Sequence, residues 1–478
     1  MGLILFIYTN LYNENEEEQV QDKFYTEKQK FNPRPNRSVK EINLNDSLEN
    51  EYLTQMKNIF EPDENDEQFK LYLKYKKSSN QHDSKIFYKS KVILDKIDSK
   101  KIPKSHYLIV EYTPIFNQAK YCNNKIPDEM LNIISDKQLT LKLNEKKNST
   151  KIYDLLDKCH YKNCFFSCDK NLASQADALL FHESDLKRKV KSFSENNFDG
   201  VYAKMFDFKR NPSQFWILWN DEANPVEKTM DPFKFNWTIS YNSKSEVSYC
   251  AYGCTTKLDV KLNDEDFEKL VREEFEIRKK SALWFVSNCG AKARLVFAEK
   301  LAQYYPMEIN GKCNDLIKNS FNDTSRILFN NNPCLRDSEC EKNAFAQNKF
   351  YFAFENQNCT DYITEKFWRS LDYNLIPIVL HPKKEYYERT APKNSFIHLE
   401  DFDYDPKRLS DYLNLVSSDA KIYSQFFEWK KNFKSLYKGN PLEQFRLCEL
   451  CEKLNNQNKN YHSYYENLSN WFNSQCKR

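Results

Sequence analysis

Short apolar runs of strand length recur along the chain between longer amphipathic and charged stretches. Tyr107–Tyr112, Ala176–Ser184, Gln214–Trp219, Ala282–Cys289, Phe350–Phe354 and Ile376–Leu380 each read as a buried strand by length and β-favouring content. Between the last two, Ile363, Phe367 and Leu371 recur at fourfold spacing, the core-facing stripe of a helix that Thr360 or Asp361 would cap. Strand, helix, strand is the unit of a parallel sheet, so the pattern predicts an α/β fold. Asn263–Lys280 reads as a charged helix between two halves, and Gly290–Arg294 opens a helix carrying Val296, Phe297 and Leu301. Residues 9–100 show no such order. Runs such as Glu14–Glu18 and Glu61–Glu67 make that stretch a polar, largely disordered stem, with local helix around Leu48–Phe60.

Length and composition narrow the picture. A chain of 478 residues exceeds one typical core, so two domains are expected after the stem: 1–100 stem, 101–270 first domain, 271–478 second. A net charge of +3 argues against a dedicated nucleic-acid surface. Fourteen scattered cysteines fit disulfides made in an oxidising compartment. Cys448-Glu-Leu-Cys451 could suit zinc, but no second such pair exists, and disulfides are the better reading. Acceptor sequons at Asn36, Asn45, Asn148, Asn236, Asn322, Asn358 and Asn467 agree with secretory passage, although Asn236 and Asn358 lie inside core patterns. The apolar start Gly2–Tyr8 is far short of the ~20 residues that span a bilayer.

The chemistry collects after the strands. Glu355 and Asn356 follow the Phe350–Phe354 strand at the carboxyl end, where open α/β sheets bind ligands. Tyr362, Glu365, Lys366 and Arg369 share another helix face, which starts in the first turn. A ring, a carboxylate and an ammonium beside free N–H groups suit a sugar nucleotide diphosphate. Asn220-Asp-Glu-Ala-Asn-Pro225 follows the Gln214–Trp219 strand, and a carboxylate there can act as general base. Spacing alone leaves ordinary solvated charges open at each position. His182, at another strand end, reads first as a packed histidine and second as a substrate contact.

Phe354-Glu-Asn356, then Tyr362-Ile-Thr-Glu-Lys366, then Trp368-Arg369 and Pro377-Ile-Val379 strongly resemble the signature of the α1,3-fucosyltransferases of glycosyltransferase family 10. Phe235-Asn-Trp-Thr238, Tyr304–Cys313 with its Gly-x-Cys end, Tyr386-Tyr-Glu-Arg389 and Pro392–Ile397 resemble further family blocks. The resemblance implies two Rossmann-like domains facing across a cleft (GT-B), an acceptor-binding N-terminal half and a GDP-fucose-binding C-terminal half. It implies a single displacement with inversion at the fucose anomeric carbon. Glu222 matches the family's candidate base, with Asp221 the competitor. Arg294 matches the diphosphate-binding arginine, whose guanidinium can engage phosphate oxygens in two-pronged fashion. Asn356, Tyr362 and Glu365 would hold the nucleotide sugar, and Lys366 the leaving group.

No Asp-x-Asp metal motif appears between strands, so no essential cofactor is expected, while a divalent ion could stimulate. The family normally carries a type II anchor in the Golgi cisterna membrane, with its catalytic part in the Golgi lumen. The expected partners are therefore GDP-fucose and a glycoprotein glycan, with no nucleic acid. Ile109–Phe116 and the Cys-x-x-Cys end resemble members that act on the N-glycan core; Lewis-type N-acetyllactosamine comes next. At Asn242–Gly253 the chain departs from the family pattern: the basic residues are missing and Lys244 replaces an acid. That block is the support for a second reading, a family member that binds GDP-fucose or glycan without transfer.

Overall fold

In the first of two parallel sheets, five strands lie in the order Cys164–Ser167, Tyr107–Glu111, Ala178–His182, Phe215–Asn220, Trp237–Ser240. In the second, six lie in the order Ile327–Phe329, Met307–Asn310, Lys279–Phe285, Asn348–Phe352, Ile376–Val379, Ile397–His398. Counted along the chain, these are the doubly wound orders 2-1-3-4-5 and 3-2-1-4-5-6, in which ligands bind beyond the carboxyl ends where the order reverses. The structure, a computed structural model, describes residues 91–93, 106–120, 156, 159–195, 197–330, 334–438, 440–456 and 463–477.

Side-chain alternation explains why these runs become central strands. Phe350, Phe352 and Phe354 enter one core, while Tyr351 and Ala353 enter the core on the other face. Both faces are covered, so the run is apolar throughout rather than alternating with polar residues. The first sheet is likewise packed on both sides, by separate clusters around Val110 and Ile109.

Three expectations are corrected. The second domain does not keep the chain to its end. The helix Asn440–Asn456 sets Leu447, Leu450 and Leu454 against the first sheet, and Cys448 and Cys451 bridge to Cys159 and Cys164. Leu468, Trp471 and Phe472 pack on that sheet's other face. The apolar spacing of this segment is satisfied there because two crosslinks leave the helix no other wall to lie on.

The second correction concerns the stem. Lys91–Ile93, inside the expected disordered stretch, pairs antiparallel with Ser463–Tyr465. The rest of that stretch, Gly2–Tyr8 included, lies outside the described residues. Among those described, no helix is long and apolar enough to cross a membrane.

The third correction concerns the signature helix, which starts at Glu365 with Thr364 as its cap, not at Thr360 or Asp361. Asn358–Cys359 instead form a strand against Cys476–Lys477, and Cys359 is bonded to Cys476. Asp361 takes the left-handed backbone at φ 61° and receives Ser243 and Arg389, so its carboxylate is not free to cap. Ile363, Phe367 and Leu371 still form one buried stripe. Asn236 is buried, accepting from the Trp216 amide at 2.8 Å, which agrees with its poor prospects as a glycosylation site.

One contact between the halves yields a stability prediction. Gly253 follows the Cys250-bearing loop and lies against Trp368 of the second half; a Cβ there would stand 2.1 Å from the ring. Gly253→Ala should therefore lower stability by about 1–3 kcal/mol, the usual range for overpacking. Chemical denaturation checks it: an unchanged midpoint would mean that the two halves pack more loosely than this contact requires.

Candidate active site at the junction of the two sheets

Each sheet delivers its part from the carboxyl end of its strands. In the second sheet the order reverses between Lys279–Phe285 and Asn348–Phe352. The chain leaving the first of these strands runs through Asn288 to the Lys292–Ala302 helix that bears Arg294; the chain leaving the second runs into Phe354, Glu355 and Asn356. Arg294 spans the two ends, donating to the carbonyls of Asn288 at 2.5 Å and Phe354 at 3.1 Å. It is buried, and its Nε is enclosed without a hydrogen-bond partner among the described residues. Burial pulls its pKa down, and the nearby Glu355 carboxylate works against that. This differs from an open phosphate clamp: adjacent strand ends present carbonyl oxygens, and a guanidinium satisfies them first. Asn356 is half-buried, and its Oδ1 also lacks a hydrogen-bond partner among the described residues.

Glu355 is the residue the sequence reading undervalued. It is fully buried and accepts from the Thr364 amide at 2.8 Å, from the Thr364 hydroxyl at 2.8 Å and from Lys366 Nζ at 3.1 Å. A carboxylate thus already occupies the start of the Glu365–Asp372 helix, where free N–H groups were expected. Burial raises the Glu355 pKa, with Lys366 opposing. Lys366 Nζ also lies 2.8 Å from the Thr364 hydroxyl, and its side chain stays 22% exposed, so it remains reachable from the cleft. Burial works against the Lys366 charge, but the Glu355 and Glu365 carboxylates outweigh it and raise its pKa. For Glu365, burial is overcome by Lys366 and Arg336, and the carboxyl is held below its usual range.

Arg369 is turned away from this group. It pairs with Glu341 at 2.8 Å and sits over the Phe345 ring, buried, so the predicted fourth member of the polar face belongs to the core.

From the first sheet, Glu222 follows the strand Phe215–Asn220, and its Oε2 accepts a long hydrogen bond, 3.4 Å, from Tyr362 of the second half. Burial, then the Glu365 and Asp221 carboxylates, push the Glu222 carboxyl above its usual range, with Lys366 pulling the other way. Tyr362 is buried edge-on to Tyr241 at 4.7 Å and Tyr252 at 6.0 Å. Burial, then neighbouring carboxylates, raise the Tyr362 phenol, so it stays protonated and can donate to Glu222. Glu222, Tyr362, Glu365 and Lys366 therefore form one electrostatic cluster built from both halves.

Asp221 is not part of it in the same sense. Both of its oxygens are taken by Arg446, at 2.7 and 2.8 Å, and Trp219 Nε1 donates to it at 2.6 Å. His182 is buried against Asp185 at 2.5 Å, with the Phe116 ring 4.4 Å away, a packed histidine at its strand end.

The departing block 242–253 has its own work here. Ser243 donates to Asp361 at 2.6 Å, tying the halves together, and the Ser248 and Tyr249 amides donate to Glu449 at 2.8 Å. Tyr252 donates to the backbone oxygen of Asp221, so it walls the base loop. Among the described residues, no group of His, Cys, Asp or Glu side chains is placed to hold a metal ion.

Comparison with known proteins adds the following. Residues 275–471 match the family described as glycosyltransferase family 10 (fucosyltransferase) C-term, and residues 134–253 match fucosyltransferase, N-terminal. The chain is 29% identical over 322 residues to glycoprotein 3-alpha-L-fucosyltransferase A of Drosophila melanogaster, a match covering 66% of this chain and 55% of that one. It is 29% identical over 308 residues to alpha-(1,3)-fucosyltransferase fut-1 of Caenorhabditis elegans, covering 62% of each. The chain thus spans rather more than half the length of these curated relatives. Among solved structures, an alpha1,3-fucosyltransferase with GDP-fucose overlaps 78% of this chain and 96% of its own, at 15% identity and a TM-score of 0.39.

Proposed function

The chain belongs to glycosyltransferase family 10, and from that premise we propose that it transfers L-fucose from GDP-fucose to an N-acetylglucosamine hydroxyl of a glycoprotein glycan, with inversion. The observation that supports this most is the meeting of Glu222, from the first sheet, with Tyr362 and the Glu365–Lys366 pair, from the second. A carboxylate held above its usual range by burial and by the Glu365 and Asp221 carboxylates, poised opposite a cation, is what a single displacement needs. Glu222 takes the acceptor hydroxyl proton as the new C–O bond forms. The anomeric centre passes through an oxocarbenium-like state. Lys366 stabilises charge growing on the GDP leaving group, and Arg294 joins it by exchanging a carbonyl for a phosphate oxygen. Asn356 Oδ1 and Arg294 Nε, both enclosed and without a hydrogen-bond partner among the described residues, are the groups a bound nucleotide sugar would satisfy.

With two cations assigned to the leaving group, no metal is essential in this reading, and activity in the presence of a chelator tests that. The N-glycan core is the proposed acceptor, with Lewis-type N-acetyllactosamine next, and the acceptor panel below distinguishes them. Disulfides that cross the fold suit a luminal setting, and the Golgi lumen is the proposed place of action. Incubating the secreted full chain with GDP-fucose and a panel of glycan acceptors is the decisive experiment. Fucose incorporation into none of them, with GDP-fucose still bound, would favour the non-transferring reading.

Glu365→Gln should weaken donor affinity about tenfold, as for the loss of hydrogen bonds to a charged group. The packing stripe Ile363, Phe367 and Leu371 is untouched, so thermal stability should hold. An unchanged GDP-fucose affinity would remove Glu365 from the donor site.

A further inference from the structure

We propose that Arg446, on the helix Asn440–Asn456, is a positioning residue for proton abstraction: its two-pronged pair with Asp221 fixes the base loop and screens the Asp221 charge from Glu222. This rests on the reading of Glu222 as the base. The sequence places Arg446 225 positions away from Asp221, and no spacing argument joins them.

The geometry is closed on every side. Arg446 Nη1 and Nη2 lie 2.7 and 2.8 Å from Asp221 Oδ2 and Oδ1, and both residues are buried. The guanidinium also lies over the Trp219 ring at 4.8 Å, and that ring's Nε1 donates to the same carboxylate. Fork, ring and carboxylate thus lock together, which an ammonium could not reproduce. The helix cannot turn away, because Cys448 and Cys451 are bonded to Cys159 and Cys164 beside the first sheet. On the loop itself, Asn220 Oδ1 accepts from the Glu222 amide at 3.2 Å, and Tyr252 donates to the Asp221 carbonyl. Asp221 is thereby pulled inward, and the next carboxylate in the chain, Glu222, is left to face Tyr362.

The charges around Glu222 decide what the pair does. From its own loop comes Asp221; from the second half come Glu365, Lys366 and the Tyr362 hydroxyl; from the 242–253 block comes the neutral Tyr252. Two carboxylates in one site push a proton onto one of them. Arg446 supplies the opposing charge to Asp221. Without it, Glu222 keeps its proton to higher pH.

The test is kcat/KM against pH for the full chain, with GDP-fucose and the best glycan acceptor, for Arg446→Met, Arg446→Lys and Asp221→Asn/Arg446→Met. In Arg446→Met the acidic limb should move up by about half to one pH unit, a modest perturbation by a partly screened charge. Arg446→Lys should show an intermediate shift, and the double variant, which holds neither charge, should return the limb to the wild-type position or below. A purely structural role would lower the melting temperature and move no limb. An unmoved limb in folded Arg446→Met overturns the proposal. If Arg446→Met does not fold, the double variant decides: a limb still raised there overturns the proposal, and a limb restored with the fold supports it. Glu222→Gln separates the two readings. If it keeps an acidic limb, the base assignment fails; if it loses the limb while Arg446→Met leaves its own in place, only the positioning role fails.

Discussion

Glu222→Gln is expected to abolish fucosyl transfer while GDP-fucose binding stays nearly unchanged. The carboxylate comes from the first sheet, and its hydrogen bond to the second half is a long one, 3.4 Å, from the Tyr362 hydroxyl, so donor binding is expected not to depend on it. A general base contributes ~10²–10⁴ in rate, and an amide of the same shape can neither take a proton nor be titrated. The acidic limb of kcat/KM should vanish with it. In the wild type that limb should lie above the ordinary carboxylate range, because burial and the Glu365 and Asp221 carboxylates raise the Glu222 pKa. The sign is fixed: the base is needed ionised, so activity rises as pH passes the raised pKa. Asp221→Asn is the paired control. It weakens a buried pair with Arg446, so stability should fall, by up to about 3–5 kcal/mol, while proton transfer persists. A dead Asp221→Asn beside an active Glu222→Gln would mean that the other carboxylate is the base.

Lys366→Ala should reduce turnover by about 10²-fold or more, as for a removed charge-stabilising donor. Its Nζ has the Glu355 carboxylate at 3.1 Å, which holds it in place and keeps it protonated. Removing the ammonium also leaves the buried Glu355 carboxylate, among the described residues, with Thr364 as its hydrogen-bond partner, so a loss of stability is expected beside the loss of turnover. Glu355→Gln/Lys366→Ala separates the two. The double variant should recover thermal stability but not turnover. Near wild-type kcat in Lys366→Ala would remove the leaving-group role, and recovery of kcat in the double variant would reassign it to support of Glu355.

Much of this protein was legible from local pattern. The apolar runs became strands because burial on both faces demands continuous hydrophobicity, and the Phe350–Phe354 and Ile376–Leu380 runs paired in parallel as a strand–helix–strand unit must. The stripe Ile363, Phe367, Leu371 is a periodicity, and periodicity is written in sequence. Position after a strand pointed to Glu355, Asn356 and the Asp221–Glu222 pair, while Arg294 and the choice of Glu222 came from the family resemblance.

Other features are decided only by what the folded chain brings together. The helix start moved to Thr364 because Asn358–Cys359 was drawn into a strand with Cys476–Lys477, a partner more than a hundred residues away. Arg369 left the polar face because a buried Glu341 was waiting for it. Asp221 and Glu222 are neighbouring carboxylates of similar chemistry, and only the fold sets their surroundings apart: Arg446, held by disulfides against the first sheet, pairs with Asp221, and Glu222 faces Tyr362. Patterns of period two or four are local and survive in the letters of the chain. Ion pairs between distant residues depend on where several elements stop, and that is settled only when they pack.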